Sequence, residues 1–494
     1  MASKFYITTP IYYANAKPHI GNTYTTVAAD VLARYHRLLK DKTFFLTGTD
    51  EHGIKVETAA KKQGKDPQKF CDEKADCFKN AWDSLNISYD AFIRTSDPKH
   101  VKAVQKALDY LYKKGFIYKG AYEGLYCSGC EQYKTESDLI DGKCPDHQKK
   151  PEKMKEESYL FKLSAFEKEL IKKIEKDEFK IEPKERKNEV LGFLKKGLQD
   201  ISISRQKVKW GIPLPFDKNL TAYVWVDALL NYLTGIKWKG DSKKFPELWP
   251  ADVHLMSKDI LRIHATIWPA LLMALDIPLP KKLFIHGYFT IDGQKMSKSI
   301  GNVIWPEELV NKFGVDASRY LLLSACPFGR DGDISWNKLI EKYNSDLANG
   351  IGNLTSRVLT MAEKKLSGKI NVISKDKPKS LDKLLDNYDR LFNNLQFEEI
   401  IKGLMDICLE LDRKIDQEEI YRMEKDEFSK NIYYFVETLR IWAWLAKPFM
   451  PGASDKILKQ LGDSGKEFKK AIKWGGIKKG NKVKKEKLLF PRIT

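Results

Sequence analysis

The chain has 494 residues, 42% of them hydrophobic and 12% aromatic, which exceeds one simple core and excludes a disordered polymer. Its 86 Lys and Arg against 67 Asp and Glu leave a net charge of +19; this points to a polyanion, nucleic acid first, although a lysine-rich composition without such a partner gives the same balance. Seven cysteines, an odd number, argue against a disulfide framework, and the richest apolar run, Leu439 to Met450, is broken by Arg440, Lys447 and Pro448, too short to cross a bilayer.

Residues 1–115 read as the first half of an α/β domain. Met1-Ala2-Ser3-Lys4 runs directly into a strand pattern, so no secretory leader is expected and the chain reads as soluble and cytoplasmic, with no membrane partner. Phe5–Thr9 and Thr43–Thr47 are apolar runs of strand length, and Thr23–Leu39 between them has helical spacing. Helical segments follow over 56–63, 67–85 and 98–114. This alternation predicts a Rossmann-type parallel sheet with helices on its faces.

Residues 116–215 differ in texture, with many lysines, a cysteine cluster and the aromatic pairs Tyr159/Phe161 and Phe193/Trp210. They read as an insertion that splits the sheet domain. The α/β pattern resumes over 216–300, with strands at Ala222–Val226, Val253–Met256 and Leu283–Tyr288 and helices at Trp225–Leu233 and Ile260–Leu275. A linking segment, 301–345, leads to residues 346–494. Helices are expected there at Asp346–Glu363, Ser380–Asn394, Phe397–Asp412 and Asp426–Leu445, the last ended by Pro448 and Pro451, giving a separate all-α bundle. The basic run Lys478–Lys485 reads as an exposed loop before a short strand at Leu488–Phe490.

Two segments carry phosphate chemistry. Pro18-His19-Ile20-Gly21-Asn22 joins a strand to a helix; glycine there lets backbone approach a ligand, and the helix start offers N–H groups and its dipole. Gly293-Gln294-Lys295-Met296-Ser297-Lys298-Ser299 puts two lysines and two serines in one loop after an Asp-Gly turn. Alone, each reads as ordinary structure or solvated surface. Together on two halves of one sheet they suit ATP activation of a carboxylic acid, where the carboxylate is already nucleophilic and the task is positioning and charge stabilisation at the α-phosphate. Asp50, closing the second strand within Thr49-Asp50-Glu51-His52-Gly53, reads equally as a partner for a substrate ammonium and as a helix N-cap. A third pattern, Cys127-x-x-Cys130 with Cys144-x-x-His147, gives three thiolates and an imidazole, a closed tetrahedral set for one structural Zn2+. A redox Cys-x-x-Cys leaves the second knuckle unexplained. Cys71, Cys77, Cys326 and Cys408 read as ordinary thiols.

The paired phosphate motifs resemble the two signatures of class I aminoacyl-tRNA synthetases. Thr47-Gly48-Thr49-Asp50-Glu51-His52-Gly53, Tyr223-Val224-Trp225-Val226-Asp227-Ala228-Leu229, Lys258-Asp259 with His264, and His286-Gly287-Tyr288 are similar, in order and over essentially the whole chain, to the methionyl-tRNA synthetases. The resemblance implies ATP binding by His19, Gly21, Asn22, Asp259, Lys295, Ser297 and Lys298, with His19, Lys295 and Lys298 catalytic and Mg2+ accompanying ATP. It implies an L-methionine pocket lined by Ile11, Tyr13, Trp225, Ala228, Leu229, Tyr232, Ile260, His264 and Trp268. Taken singly, these aromatics read as core. A thioether is well held by aromatic faces and accepts weak hydrogen bonds, which Tyr232 and His264 are expected to donate.

Asn22 stands where the family has a second histidine, Leu229 where it has proline, and Ser257 where it has glycine. In the bundle, the resemblance places Asn353 and Arg357, one helical turn apart, against anticodon bases of elongator and initiator tRNA(Met). Tyr421 stands where a stacking tryptophan is expected. The rival readings are another class I synthetase, disfavoured because the branched-chain enzymes carry a larger editing insertion, and a non-catalytic tRNA-binding relative, disfavoured by the intact phosphate motifs. The chain stops soon after the bundle, so a monomer is expected.

Overall fold

A computed structural model describes residues 3–127, 132–134, 136, 139–145, 148–241, 244–296, 301–465 and 467–494. Its centre is a parallel sheet of β1 (Lys4–Thr8), β2 (Tyr12–Tyr13), β3 (Lys42–Asp50), β4 (Ala91–Arg94), β5 (Lys180–Glu182), β6 (Val253–Ser257) and β7 (Lys282–His286). Across the sheet the order is β4, β3, β1, β6, β7, β5, with β2 continuing the line of β1 against the end of β3. β1 pairs with β3 on one side and β6 on the other, so the strand order reverses at β1.

Strand periodicity explains how the sheet is covered. Phe5, Ile7, Phe45, Leu255 and Phe284 face one core; Tyr6, Leu46, Met256, Leu283 and Ile285 face the other. Alternate residues of a strand point to opposite faces, and both faces are apolar because both are covered by helices. The first core contains helix α1 (Ile20–Leu38) and runs unbroken into the bundle. Tyr35 of α1 stacks on Phe392 at 3.9 Å, and its hydroxyl donates to Asp389 at 2.5 Å. Deeper in, Asp30 of α1 pairs with Arg319 at 2.6 Å, both side chains fully buried. The Arg319 guanidinium also donates to the carbonyls of Pro448 and Phe449, so the bundle is bolted to the sheet domain.

The second core holds helices α2 (Val224–Leu229), α3 (Leu261–Ala265) and α4 (Ile267–Ala274), together with the root of the insertion. That insertion is an antiparallel sheet of Ile117–Cys127, Gln132–Lys134, Glu152–Phe161 and Ile201–Ser202. The stretch 116–215 does not leave the central sheet altogether, because β5 pairs in parallel with β7 through Lys180 to Glu182. The bundle comprises α5 (Asn353–Leu366), α6 (Lys379–Asn393), α7 (Phe397–Gln417), α8 (Lys425–Ala446) and α9 (Pro451–Gln460).

Three expectations change. Ala222–Val226 is not a strand: pairing stops at Ala222, and Val224 already opens α2, whose six residues are all buried. A continuous apolar run is equally readable as strand or buried helix, and packing on both sides decides. Leu488–Phe490 forms no strand, whereas Asn481–Lys482, inside the basic run, pairs with Lys369–Ile370 and buries Val483. Among the described residues no helix is long and apolar enough to cross a membrane.

Candidate active site

A cleft of about 580 Å³ opens at the carboxyl ends of the sheet strands, where the strand order reverses at β1. Ile11, Tyr13, His19, Gly21, Asn22, Asp50, Trp225, Ala228, Leu229, Tyr232, Asp259, Ile260 and His264 all line it. These residues come from four separated stretches of chain, and the sheet brings their ends together.

At one end α1 begins. His19 is its N-cap: the backbone N–H of Gly21 donates to His19 Nδ1 at 3.1 Å, and the His19 N–H donates to Asn22 Oδ1 at 3.0 Å. This reciprocal capping box satisfies donors that a helix start leaves orphaned. It also gives Asn22 a job that an asparagine amide oxygen does well. Accepting at Nδ1 puts the proton of a neutral His19 on Nε2. A Cβ on Gly21 would sit 2.9 Å from His19 Cε1 and 3.8 Å from Met296 Cε, so the imidazole can lie across position 21 only if it is glycine.

The loop that carries the second motif is anchored on both sides. Gln294–Lys295 pairs with Phe289–Ile291, and Ile20 N–H of α1 donates to the Ile304 carbonyl at 3.0 Å. Met296 lines the cleft. Ser297 and Lys298 lie outside the described residues.

The other end is aromatic. Trp225 meets Tyr13 edge to face at 6.1 Å and His264 at 6.4 Å. His264 Nδ1–H donates to the Ile260 carbonyl at 3.0 Å, and burial holds its pKa down at about 4. The neutral ring therefore offers Nε2 as an acceptor, and the Tyr232 hydroxyl donates to it at 2.8 Å. The expectation that these two groups donate to a thioether is corrected here, because both protons are spent within the wall.

Trp268 does not line the cleft. It is fully buried one layer behind, donating Nε1–H to His254 at 3.3 Å and standing 5.6 Å from the Tyr232 ring. Asp50 is not a helix cap. It ends β3, nearly buried, and the next helix is capped by Gly53. The Ser257 hydroxyl donates to Asp259, so the serine at this position orients the neighbouring carboxylate.

Sequence reasoning missed Lys17, Asn231 and Tyr288 on the cleft wall and assigned His286 no part in it. His286 is neutral, its pKa held at about 4 by burial, and its Nε2 meets the Thr25 hydroxyl of α1 at 2.6 Å. A Cβ on the adjacent Gly287 would fall 2.2 Å from the Arg330 carbonyl, a crossing that only glycine permits. The run His286-Gly287-Tyr288 after a strand was the available signal.

Of the metal pattern, Cys127 and Cys144 are buried, while Cys130 and His147 lie outside the described residues. Among the described residues no cluster of three His, Cys, Asp or Glu forms a metal site. In the bundle, Arg357 pairs with Asp412 at 3.2 Å and Asp416 at 2.7 Å, linking α5 to the end of α7. Asn353 is exposed, and so is Tyr421, just beyond α7, with Arg422 over its ring at 5.7 Å.

The family model described as tRNA synthetases class I (M) matches residues 5–152 and 137–359. The chain is 44% identical over 506 residues to a methionine–tRNA ligase of Caldanaerobacter subterraneus subsp. tengcongensis, covering 100% of this chain and 79% of that protein. It is 46% identical over 504 residues to the methionine–tRNA ligase of Clostridium acetobutylicum, covering 99% and 78%. Mycobacterium tuberculosis methionyl-tRNA synthetase in complex with methionyl-adenylate superimposes with a TM-score of 0.92 at 35% identity, covering 99% of this chain and 100% of that one. With the fold, the cleft and its motifs in agreement, the chain belongs to the methionine–tRNA ligases, the methionyl-tRNA synthetases of class I.

Proposed function

We propose that the cleft forms methionyl-adenylate from L-methionine and ATP-Mg, releasing pyrophosphate, and that the methionyl group then passes to the 3′-terminal adenosine of tRNA(Met), elongator and initiator alike. The observation that carries the residue assignment is the His19 orientation: Nδ1 accepts from Gly21 N–H, so a neutral ring carries its proton on Nε2, from which it donates to a phosphoryl oxygen bound at the positive end of α1. The methionine carboxylate attacks the α-phosphorus without a general base. His19, the α1 N–H groups and the lysines Lys295 and Lys298 stabilise charge that grows on the phosphoryl oxygens. Asp259, oriented by Ser257, accepts from the nucleotide ribose. Asp50 takes the methionine ammonium.

The aromatic end selects by shape and polarizability. Tyr13, Trp225 and Tyr232 supply faces for a sulfur atom, and Tyr232 and His264 spend their protons on His264 Nε2 and the Ile260 carbonyl rather than on a substrate side chain. Trp268 supports this wall from behind. Amino-acid-dependent pyrophosphate exchange tests the reading. Exchange driven by methionine alone is expected; exchange driven by valine, isoleucine, leucine or cysteine points to another class I synthetase, and none at all points to a non-catalytic tRNA-binding protein.

One structural Zn2+ is assigned to Cys127, Cys130, Cys144 and His147. Cys144 is buried although residues 140–143 and 148–150 are exposed, and its carbonyl accepts from Gln148 N–H at 2.7 Å in a tight turn. Buried thiols on so polar a stretch suit a metal better than a core. The four donors would staple the tip of the insertion, and no catalytic step passes through it. One zinc per chain is expected in protein purified without chelator; metal-free protein that keeps its insertion ordered removes the assignment.

The bundle is assigned to the anticodon through Asn353, Arg357 and Tyr421, and residues 301–345 to the acceptor stem. The ion pair from Arg357 to Asp416 supports a single recognition end, since Asp416 lies five residues before Tyr421. The protein is read as a cytoplasmic monomer, which light scattering checks for mass.

A further inference from the structure

Behind the methionine end, buried charge sits where the mechanism does not use it. Asp227 lies on α2 between Trp225 and Ala228 and is 1% exposed. One carboxylate oxygen accepts from His52 Nδ1 at 2.7 Å, and the other accepts from His100 Nε2 at 2.7 Å. Both oxygens are committed, and neither lines the cleft. His52 stands two residues after Asp50, just past the end of β3. His100 passes the contact on, its Nδ1 meeting the Thr234 hydroxyl at 2.7 Å.

The short segment around His52 is held from its other side as well. Trp210 Nε1–H donates to the Glu51 carbonyl at 2.5 Å, Gly53 N–H donates to the Trp210 carbonyl at 2.9 Å, and the Trp210 ring meets His52 edge to face at 5.4 Å. Glu51 is itself clamped by Arg94 at 2.7 Å and 3.0 Å. The strand end that presents Asp50 is therefore fixed against its surroundings; Tyr13, laddered to Asp50, meets Trp225 of α2 edge to face, and His52 supplies the hydrogen bond from this segment to α2.

We propose that Asp227 is a positioning residue: through His52 it fixes the distance between the ammonium-binding wall at Asp50 and the thioether-binding wall at Trp225, Ala228 and Leu229. The inference rests on the methionine assignment of this cleft. It follows from how the walls are made. α2 and the end of β3 are remote in sequence and share no backbone ladder, so side-chain bonds set their separation. Methionine is flexible, and it bridges ammonium and sulfur sites productively only when these are correctly spaced. A loosened wall lowers occupancy of that geometry without touching the phosphate end.

The test uses pyrophosphate exchange by the full chain, with KM for methionine and ATP measured separately. Asp227→Asn is expected to raise KM for methionine about tenfold or more and to leave KM for ATP within about threefold. Because Asp227→Asn can fail to fold, His52 supplies an independent pair. His52→Ala removes the donor and should reproduce the methionine defect. His52→Asn places an amide nitrogen close to the position of Nδ1 and should recover most of it. An unchanged methionine KM in His52→Ala, equal rises in both KM values, or His52→Asn no better than His52→Ala each overturns the inference. Absence of methionine-dependent exchange in the parent protein would instead overturn the functional assignment on which it rests.

Discussion

The two ends of the cleft are built in opposite ways. The phosphate end is built on a local device, to which the distant loop at 293–299 is added: His19, Gly21 and Asn22 bond one another within four residues, and the helix they start supplies the field. The methionine end is remote. Tyr13 ends β2, Asp50 ends β3, Trp225 to Tyr232 come from α2 and the short helix Asn231–Thr234 after it, and His264 comes from α3, with buried side-chain contacts holding these pieces in register. A local device tolerates drift elsewhere in the fold but not a change in its own few atoms. A remote device depends on everything packed behind it.

The largest effect should come from the phosphate end. Lys298→Ala is expected to cut pyrophosphate exchange by about 10³-fold or more while methionine still binds, as equilibrium dialysis would report. Exchange at the parental rate in a folded variant would take this loop out of the mechanism.

Gly21→Ala separates the two ends directly. The new methyl group collides with the His19 ring and is expected to displace it, lowering exchange about 10²-fold with methionine affinity unchanged. Equal losses in both measurements would mean that the ends are coupled through α1 and that the local picture fails.

Tyr421→Ala lies outside both ends. Base stacking is worth about 1–3 kcal/mol, so tRNA charging should fall by about 10- to 100-fold with exchange intact. The loss should shrink on a tRNA with a swapped anticodon. An equal loss on both tRNAs would remove Tyr421 from anticodon reading.

The smallest effect on exchange at neutral pH, but a measurable one on stability, concerns the imidazoles behind and beside the cleft. Burial holds His264 and His286 at about 4 and pushes His254 well below its usual value. Between pH 6.5 and 4 the unfolded chain therefore binds more protons than the folded one, and stability that is complete above 6.5 is lost as the pH falls through that window. Each of the two at about 4 contributes up to about 3 kcal/mol. His52, pulled upward by Asp227 against the opposing effect of burial, has the opposite sign: its contribution is present at low pH and lost as the pH rises through its folded value. Urea denaturation at pH 7.5, 6 and 5 should show a net fall toward acid, flattened by His264→Gln. A flat profile in the parent protein would mean that these rings are solvated.

What was legible in the sequence follows the same division. The strand-turn-helix at residues 5–39 was readable because its apolar period, its glycine and its cap lie side by side. Two of the bundle helices, α6 and α7, were readable because amphipathic period survives over fifteen or more residues.

Tertiary structure decided the rest. Val224–Leu229 became a helix because it is buried on every side, where a continuous apolar run carries no period to choose by. Trp268 moved behind the cleft because its N–H found His254, a partner fourteen residues away across two elements. The protons of Tyr232 and His264 were assigned only by the Ile260 carbonyl and the loss of water around them. Asp227, one more acidic residue in a familiar run of sequence, became the link between two walls only once His52 and His100 had closed on it. Sequence by itself determined what neighbouring atoms can satisfy among themselves. Only the fold decided which distant groups must share a proton, because burial leaves them no other partner.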